Sequence, residues 1–380
     1  MEFTPWFSVS NNKITEFSFM STISQTALVV GATGFIGKFL VARLLRDNAR
    51  VFIICRNINE QAPQLRYWLT QQEIDHQKLS FLQGDVTLSN LGLSFQDWAT
   101  LKEVTYLYNT SALFEWNLSM EQAKKVNVDG LTNLLHSVSK YCHLDRAIHL
   151  SGYMLTLEKH LQSAGVYKKY IEETNWPKVY ETLGAYEASK IQGHFNWIKQ
   201  ADSLNIPWTI IHPATVIGDE LTGEIPNNQP ITSLIQQLKQ RKMNALPGTP
   251  QHSLPLVSVT LLVDAMLHAS KDSQTIKQEI LVASPEQLTF QALVGIIAKS
   301  LQVKPPRNFI SLSLLKFILK WNWLARKLDL SSEMLNFIRT EQIDLTLFNQ
   351  LNQQWKISTP ELPKTIQKTV KWVSLKSNIN

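Results

Sequence analysis

Short apolar runs and longer stretches of helical period alternate along this chain from Ala27 to about Ala214. The runs Ala27–Val30, Arg50–Cys55, Leu79–Gln83, Val104–Tyr108, Ala147–Leu150 and Trp208–Ile211 read as strands. Gly37–Arg46, Met120–Tyr141 and Tyr186–Asp202 between them read as helices. Near-continuous apolar runs suit strands covered on both faces, so the pattern predicts an α/β fold with a doubly wound parallel Rossmann-type sheet. A later run, Glu279–Ala283, extends that sheet after a crossover. From about Leu221 the texture turns to Pro, Asn and Gln, then to helices rich in Leu, Trp and Lys. This predicts a smaller, mostly helical C-terminal lobe over the carboxyl edge of the sheet, where such folds bind ligands. The expected division is a loosely ordered extension over 1–25, a dinucleotide-binding core over 26–220 and a substrate lobe over 221–380, with 254–285 returning to the core. Met20, just ahead of the first strand, marks 1–19 as an extension from an upstream start codon.

The first strand runs into Gly31, Gly34 and Gly37, and a helix follows. Glycines at such a corner let the backbone bend sharply and let a pyrophosphate approach, while the first N–H groups of the helix face the anion. Thr33, Phe35 and Ile36 complete this candidate cofactor turn. At the end of the second strand, where an NAD enzyme places an acid for the ribose 2′-hydroxyl, the chain has Arg56. A guanidinium there pairs with a 2′-phosphate, which favours NADP over NAD. After the third strand, Asp85 is placed to accept from the adenine amino group, with Val86 beside it. Asp after Gly is also ordinary turn chemistry.

Composition narrows this picture. The 380 residues carry a formal net charge of +6, which suits anionic ligands such as nucleotide phosphates. No long Lys/Arg run points to nucleic acid, and no apolar segment is long and charge-free enough to span a bilayer. The N-terminus has no basic stretch followed by an apolar one, so no signal peptide is expected. Two cysteines, Cys55 and Cys142, predict a reducing compartment, the cytoplasm. Neither has a Cys or His at ligand spacing, so no metal site is expected.

The segment GAYEASKIQGHF sets Tyr186 and Lys190 four residues apart, on one helix face. An ammonium near a phenol lowers its pKa, so the tyrosine can exchange a proton with a substrate oxygen while hydride moves at carbon. GATGFIG, YEASK, VNVDGLTNLL and HPATVIGD, in this order, resemble the extended short-chain dehydrogenase/reductase superfamily over roughly residues 27–290. GDVTLSNLGLS followed by NTSALFEW is similar to its fatty-acyl and thioester reductase (male-sterility-like) branch.

The resemblance implies that Tyr186 is the catalytic acid/base, that Lys190 orients the nicotinamide ribose and that Asn127 helps hold a relay water. It implies a hydroxyl at the end of the fifth strand. Ser151 is present there, but the aligned position is Gly152. Thr110 and Ser111 after the fourth strand, and His212, Pro213 and Val216 after the sixth, would border the cofactor. A lone His such as His212 is more often structural than catalytic. LPLVSVTLLVDAMLHA matches another landmark, with Asp264 as a helix-start or structural acid.

The segment 311–328 is apolar around most of a helix, with a stripe of Lys316, Lys320 and Lys327 and with Trp321 and Trp323. It reads either as lining for a lipophilic cleft or as a peripheral membrane contact. The expected function is NADP(H)-dependent hydride transfer to a carbonyl or acyl-thioester carbon of a lipophilic or acyl-carrier-linked substrate, by a monomer or homodimer. An epimerase or dehydratase of the same fold, and a dinucleotide-sensing protein without catalysis, stand as alternatives.

Overall fold

Along the chain run β1 (Thr26–Val30), α1 (Phe35–Arg46), β2 (Arg50–Cys55), α2 (Ile58–Gln71), β3 (Leu79–Gln83), α3 (Phe95–Thr100), β4 (Tyr106–Asn109), α4 (Met120–Lys124), α5 (Gly130–Tyr141) and β5 (Arg146–Leu150). They continue as α6 (Glu158–Ser163), α7 (Trp176–Leu183), α8 (Ala185–Ser203), β6 (Trp208–Pro213), β7 (Thr215–Ile217), α9 (Pro230–Lys239), β8 (Ala245–Pro247) and β9 (Leu256–Ser258). Then come α10 (Val259–Lys271), β10 (Gln278–Val282), α11 (Phe290–Leu301), β11 (Asn308–Ile310), α12 (Leu312–Ile318) and the helices Thr346–Trp355 and Leu362–Lys376. This computed structural model describes residues 25–113, 118–318, 335 and 338–376. The Rossmann-type α/β fold expected from the sequence is the one observed.

Seven strands form one sheet in the order β10-β6-β5-β4-β1-β2-β3, every neighbouring pair parallel. Both faces are covered, as the strand composition requires. Along β1, Ala27 and Val29 join Leu40, Leu44 and Leu262 in one core, while Leu28 and Val30 join Leu131, Leu134 and Trp197 in the other. Each of these leucine and valine side chains, once buried, contributes about 1.5–3 kcal/mol. Strand order reverses between β1 and β4, so their connections diverge and open a crevice at the carboxyl edge.

Most predicted strands are found within two residues of their bounds. The fourth begins later because the Val104 amide closes the turn after α3 onto Leu101, while Asn109 pairs with Val30. The helix predicted over Met120–Tyr141 contains a π turn, Lys125–Asp129. There α8 crosses so closely that a Cβ on Gly193 would lie 2.0 Å from the Asn127 carbonyl oxygen.

The C-terminal region has its own core, in which Leu234 and Ile235 of α9, Leu293 and Val294 of α11, and Ile366 and Val370 meet. Two short parallel pairs, β11 with β8 and β7 with β9, tie it to the sheet's carboxyl edge. The helix Thr346–Trp355 instead returns to the sheet, placing Phe348 and Leu351 in the α1/α10 core. Among the described residues no helix is long and apolar enough to cross a membrane. Of the expected membrane-contact segment, Leu314 and Phe317 of α12 are exposed; Trp321, Trp323, Lys320 and Lys327 lie outside the described residues.

Candidate active site

The glycine turn is built for close approach. Gly31 has φ +83°, and a Cβ there would lie 2.6 Å from the Ser111 nitrogen and 2.7 Å from the Thr110 carbonyl carbon. A Cβ on Gly37 would lie 2.1 Å from the Gly31 oxygen. Both obstacles are backbone, so neither position tolerates a side chain. The Thr110 amide donates to Val30 O at 2.9 Å, drawing the end of β4 against the turn. Gly34 is the N-cap of helix α1, which has no side-chain cap and no acid in its first turn. Its first N–H groups and the positive end of its dipole therefore face the crevice, which fits the pyrophosphate of a dinucleotide.

Around this turn, Thr33 Oγ1 accepts from Gln61 Nε2 at 3.1 Å, tying the turn to α2. Arg56 stands exposed one residue beyond β2. The Asp85 carboxylate accepts from the Thr87 amide at 2.8 Å and so caps its own turn, while Val86 packs against Gly130. Ser111 donates through its amide and hydroxyl to Asn109 Oδ1, at 3.1 and 2.5 Å.

On α8, Tyr186 and Lys190 line one cavity together with Ser151. Lys190 is buried, and its Nζ donates to Leu150 O at 3.0 Å. Burial penalises the ammonium and pulls its pKa from 10.5 down to about 8. Ser151 Oγ lies 3.5 Å from His194 Nδ1. At Gly152 the backbone is extended, and a Cβ would meet only the flexible end of Met154, its Sδ at 2.4 Å. Asn127 does not line the cavity. Its Oδ1 accepts from the Leu113 amide at 2.9 Å and its Nδ2 donates to Ser189 Oγ at 3.0 Å, clamping the loop after β4 to the residue preceding Lys190. Asp264 lies in mid-helix and pairs with Arg43 of α1; the helix start is capped by Ser258, whose Oγ accepts from Leu261 at 3.0 Å.

The cavity measures about 1270 Å³ and runs from the glycine turn past Tyr186 into the C-terminal region. Gly31, Gly34, Phe35, Ile36, Gly37 and Thr110 line its glycine-turn end, and Pro213 and Val216 its flank. Thr33, Arg56, Asp85, Val86 and Ser111 lie outside that lining. His212 also lies outside it: it is buried, with Nδ1 3.0 Å from Gly152 O and Nε2 2.9 Å from Glu279 Oε2. The far wall is formed by Ile231, Leu234, Phe290, Leu315, Leu335 and Ile338; Leu315 belongs to the segment 311–328 that the sequence offered as a cleft lining, and the other five were not singled out. The apolar stripe of α9 was the available signal.

The model of the male sterility protein family, an NAD-binding family, matches residues 29–266. Probable polyketide synthase 6 of Dictyostelium discoideum is 26% identical over 227 residues, covering 55% of this chain and 8% of that protein. Fatty acyl-CoA reductase 2 of Homo sapiens is 24% identical over 289 residues, covering 65% of this chain and 56% of that protein. The chain thus spans a small part of the first and about half of the second. The terminal R domain from the myxalamid PKS-NRPS biosynthetic pathway superposes with a TM-score of 0.73 at 18% identity, over 93% of this chain and 92% of that one. That likeness shows the fold.

Proposed function

The chain belongs to the male sterility protein family, within the extended short-chain dehydrogenase/reductase Rossmann class, and from that premise we propose that it is an NADP(H)-dependent reductase of lipophilic acyl thioesters or carbonyls. The observation that carries this reading is the single cavity joining the uncapped glycine turn, the Tyr186–Lys190 face of α8 and an apolar far wall. The named fatty acyl-CoA and polyketide relatives support the acyl class of substrate.

Gly31–Gly37 would hold a dinucleotide, which when bound would supply the hydride. Tyr186 protonates the oxygen on which negative charge develops as the new C–H bond forms. Lys190, fixed through Leu150 O, stabilises the phenolate that remains. Ser151, in the lining of the same cavity, donates to the same substrate oxygen. With a thioester, collapse of the protonated adduct breaks the C–S bond and releases aldehyde and thiol. Arg56, exposed beyond β2, takes the 2′-phosphate. An epimerase acting on a sugar nucleotide needs cations for its diphosphate. Among the described residues, Lys242 is the one cation that the C-terminal region contributes to the lining.

The test is Tyr186→Phe, assayed by NADPH oxidation with long-chain acyl thioesters and aldehydes. Turnover falls about 10²–10⁴-fold while NADPH affinity stays within about twofold. Wild-type turnover in that variant refutes the assignment.

A further inference from the structure

Behind the wall that bears Ser151, three ligand-type side chains from three elements converge. They are His194 of α8, His212 of β6 and Glu279 of the edge strand β10, and one donor atom of each lies within 4.8 Å of the others. Glu279 Oε2 is 2.9 Å from His212 Nε2 and 3.3 Å from His194 Nε2. Both imidazoles are fully buried, while 34% of the Glu279 side chain reaches solvent.

Donor and acceptor roles leave a gap at the centre of this cluster. His212 Nδ1 faces the Gly152 carbonyl at 3.0 Å, and a carbonyl only accepts, so that nitrogen carries the ring proton. In the neutral ring, Nε2 then points a lone pair at a carboxylate, which also only accepts. The His194 Nε2 atom is buried without a hydrogen bond, because Glu279 lies off the line of its N–H direction. A proton on His212 would pair with Glu279 and still leave His194 unmatched. A metal ion satisfies all three.

We propose that His194, His212 and Glu279 form a binding site for a divalent transition-metal ion, best matched by Zn²⁺, with water as the fourth ligand. Imidazole nitrogens with one carboxylate are an ordinary zinc donor set. A tetrahedral ion with ligands at about 2.1 Å spaces its donors about 3.4 Å apart. The two imidazole–carboxylate pairs, at 2.9 and 3.3 Å, need shifts of about half an ångström or less, and the donor atoms of the two imidazoles lie within 4.8 Å of each other. The Nδ1–H of His212 on a backbone carbonyl is the outer-shell bond that fixes a ligating tautomer. Glu279 provides the entry path from solvent. Lys168, the neighbouring cation, is exposed, so water screens its repulsion. The ion would hold the edge strand, β6 and α8 together behind Ser151 and take no part in the chemistry in the cavity.

The experiment loads the purified protein with excess Zn²⁺, desalts it and measures metal content, with Co²⁺ as a spectroscopic probe. Wild-type protein retains about one equivalent of Zn²⁺ and gives the visible d–d bands of a low-symmetry Co²⁺ site. Glu279→Ala removes a ligand at a partly exposed position without opening the core, and His194→Gln removes a buried one. Each lowers Zn²⁺ affinity at least about tenfold. Retention below about a tenth of an equivalent, or wild-type affinity in Glu279→Ala, overturns the site. These readouts are independent of enzyme turnover, so the site stands or falls apart from the reductase reading.

Discussion

The burial of Lys190 carries a calculable cost at neutral pH. Its ammonium sits inside the protein, donates one hydrogen bond, to Leu150 O at 3.0 Å, and has its pKa pulled from 10.5 down to about 8. At 1.36 kcal/mol per pKa unit, that displacement costs the fold about 3 kcal/mol at neutral pH. The sign follows from proton binding. Between pH 8 and 10.5 the unfolded chain binds a proton at this lysine that the folded chain does not, so stability rises with pH across that window. Below pH 8 both states are charged and the full penalty remains. Lys190→Met keeps the apolar stem, removes the charge and forfeits a hydrogen bond worth about 1 kcal/mol. The variant is therefore more stable than the parent by about 2 kcal/mol at neutral pH. A chain of 380 residues unfolds with an entropy of about 0.8 kcal/mol/K, so the gain appears as about 2–3 °C in Tm. Calorimetry of both proteins from about pH 7 to pH 10.5 shows the gap closing and then reversing as the parent's lysine discharges. NADPH oxidation by the variant is lost throughout. A Tm gap that stays constant with pH refutes the claim that burial penalises this ammonium.

Two further outcomes test the cofactor end. Gly31→Ala forces a side chain into a left-handed backbone position against the Thr110–Ser111 backbone. It costs at least about 1–3 kcal/mol of local strain, seen as a lowered Tm and a weakened NADPH fluorescence titration. An unchanged dissociation constant removes the turn from the cofactor site. Arg56→Asp exchanges a 2′-phosphate partner for a ribose partner, so the ratio of NADP to NAD affinity falls about 10–100-fold, the worth of one charge-assisted bond. An unchanged ratio shows that Arg56 points only into solvent.

The sheet was legible because each strand is a short apolar run and because Gly31 and Gly37 of the turn meet backbone that excludes a Cβ. The constraint on Gly31 comes from Thr110 and Ser111, whereas that on Gly37 acts between near neighbours in sequence, against Gly31. The Tyr186–Lys190 pair was legible for the same reason, since one helical turn places both on one face. Contacts made across elements were not legible. Nothing local announces that Asn127 is spent on Leu113 and Ser189, or that Thr346–Trp355 returns to the sheet through Phe348. The expectation of no metal site rested on cysteine spacing. The His194, His212 and Glu279 cluster joins a helix, an inner strand and an edge strand, so no spacing rule reveals it. His194 stands one turn beyond Lys190 on the same helix, and that was the available clue.

The hydroxyl question at the end of β5 turns on how rigidly that backbone is held. Three successive residues are gripped from different elements. Leu150 O accepts from Lys190 Nζ of α8 at 3.0 Å, the Ser151 amide donates to Ile211 O of β6 at 2.8 Å, and Gly152 O accepts from His212 Nδ1 at 3.0 Å. A backbone pinned at each residue cannot slide by one position to bring a different side chain forward. The frame that holds Lys190 therefore also holds Ser151 in the cavity wall, together with Leu150, Gly152, Tyr153 and Met154. A glycine at 152 leaves room for the end of Met154, whose Sδ occupies the space a Cβ would need. Among these three residues Ser151 is the one that offers a hydroxyl to the cavity, and Met154 lines the wall beside it.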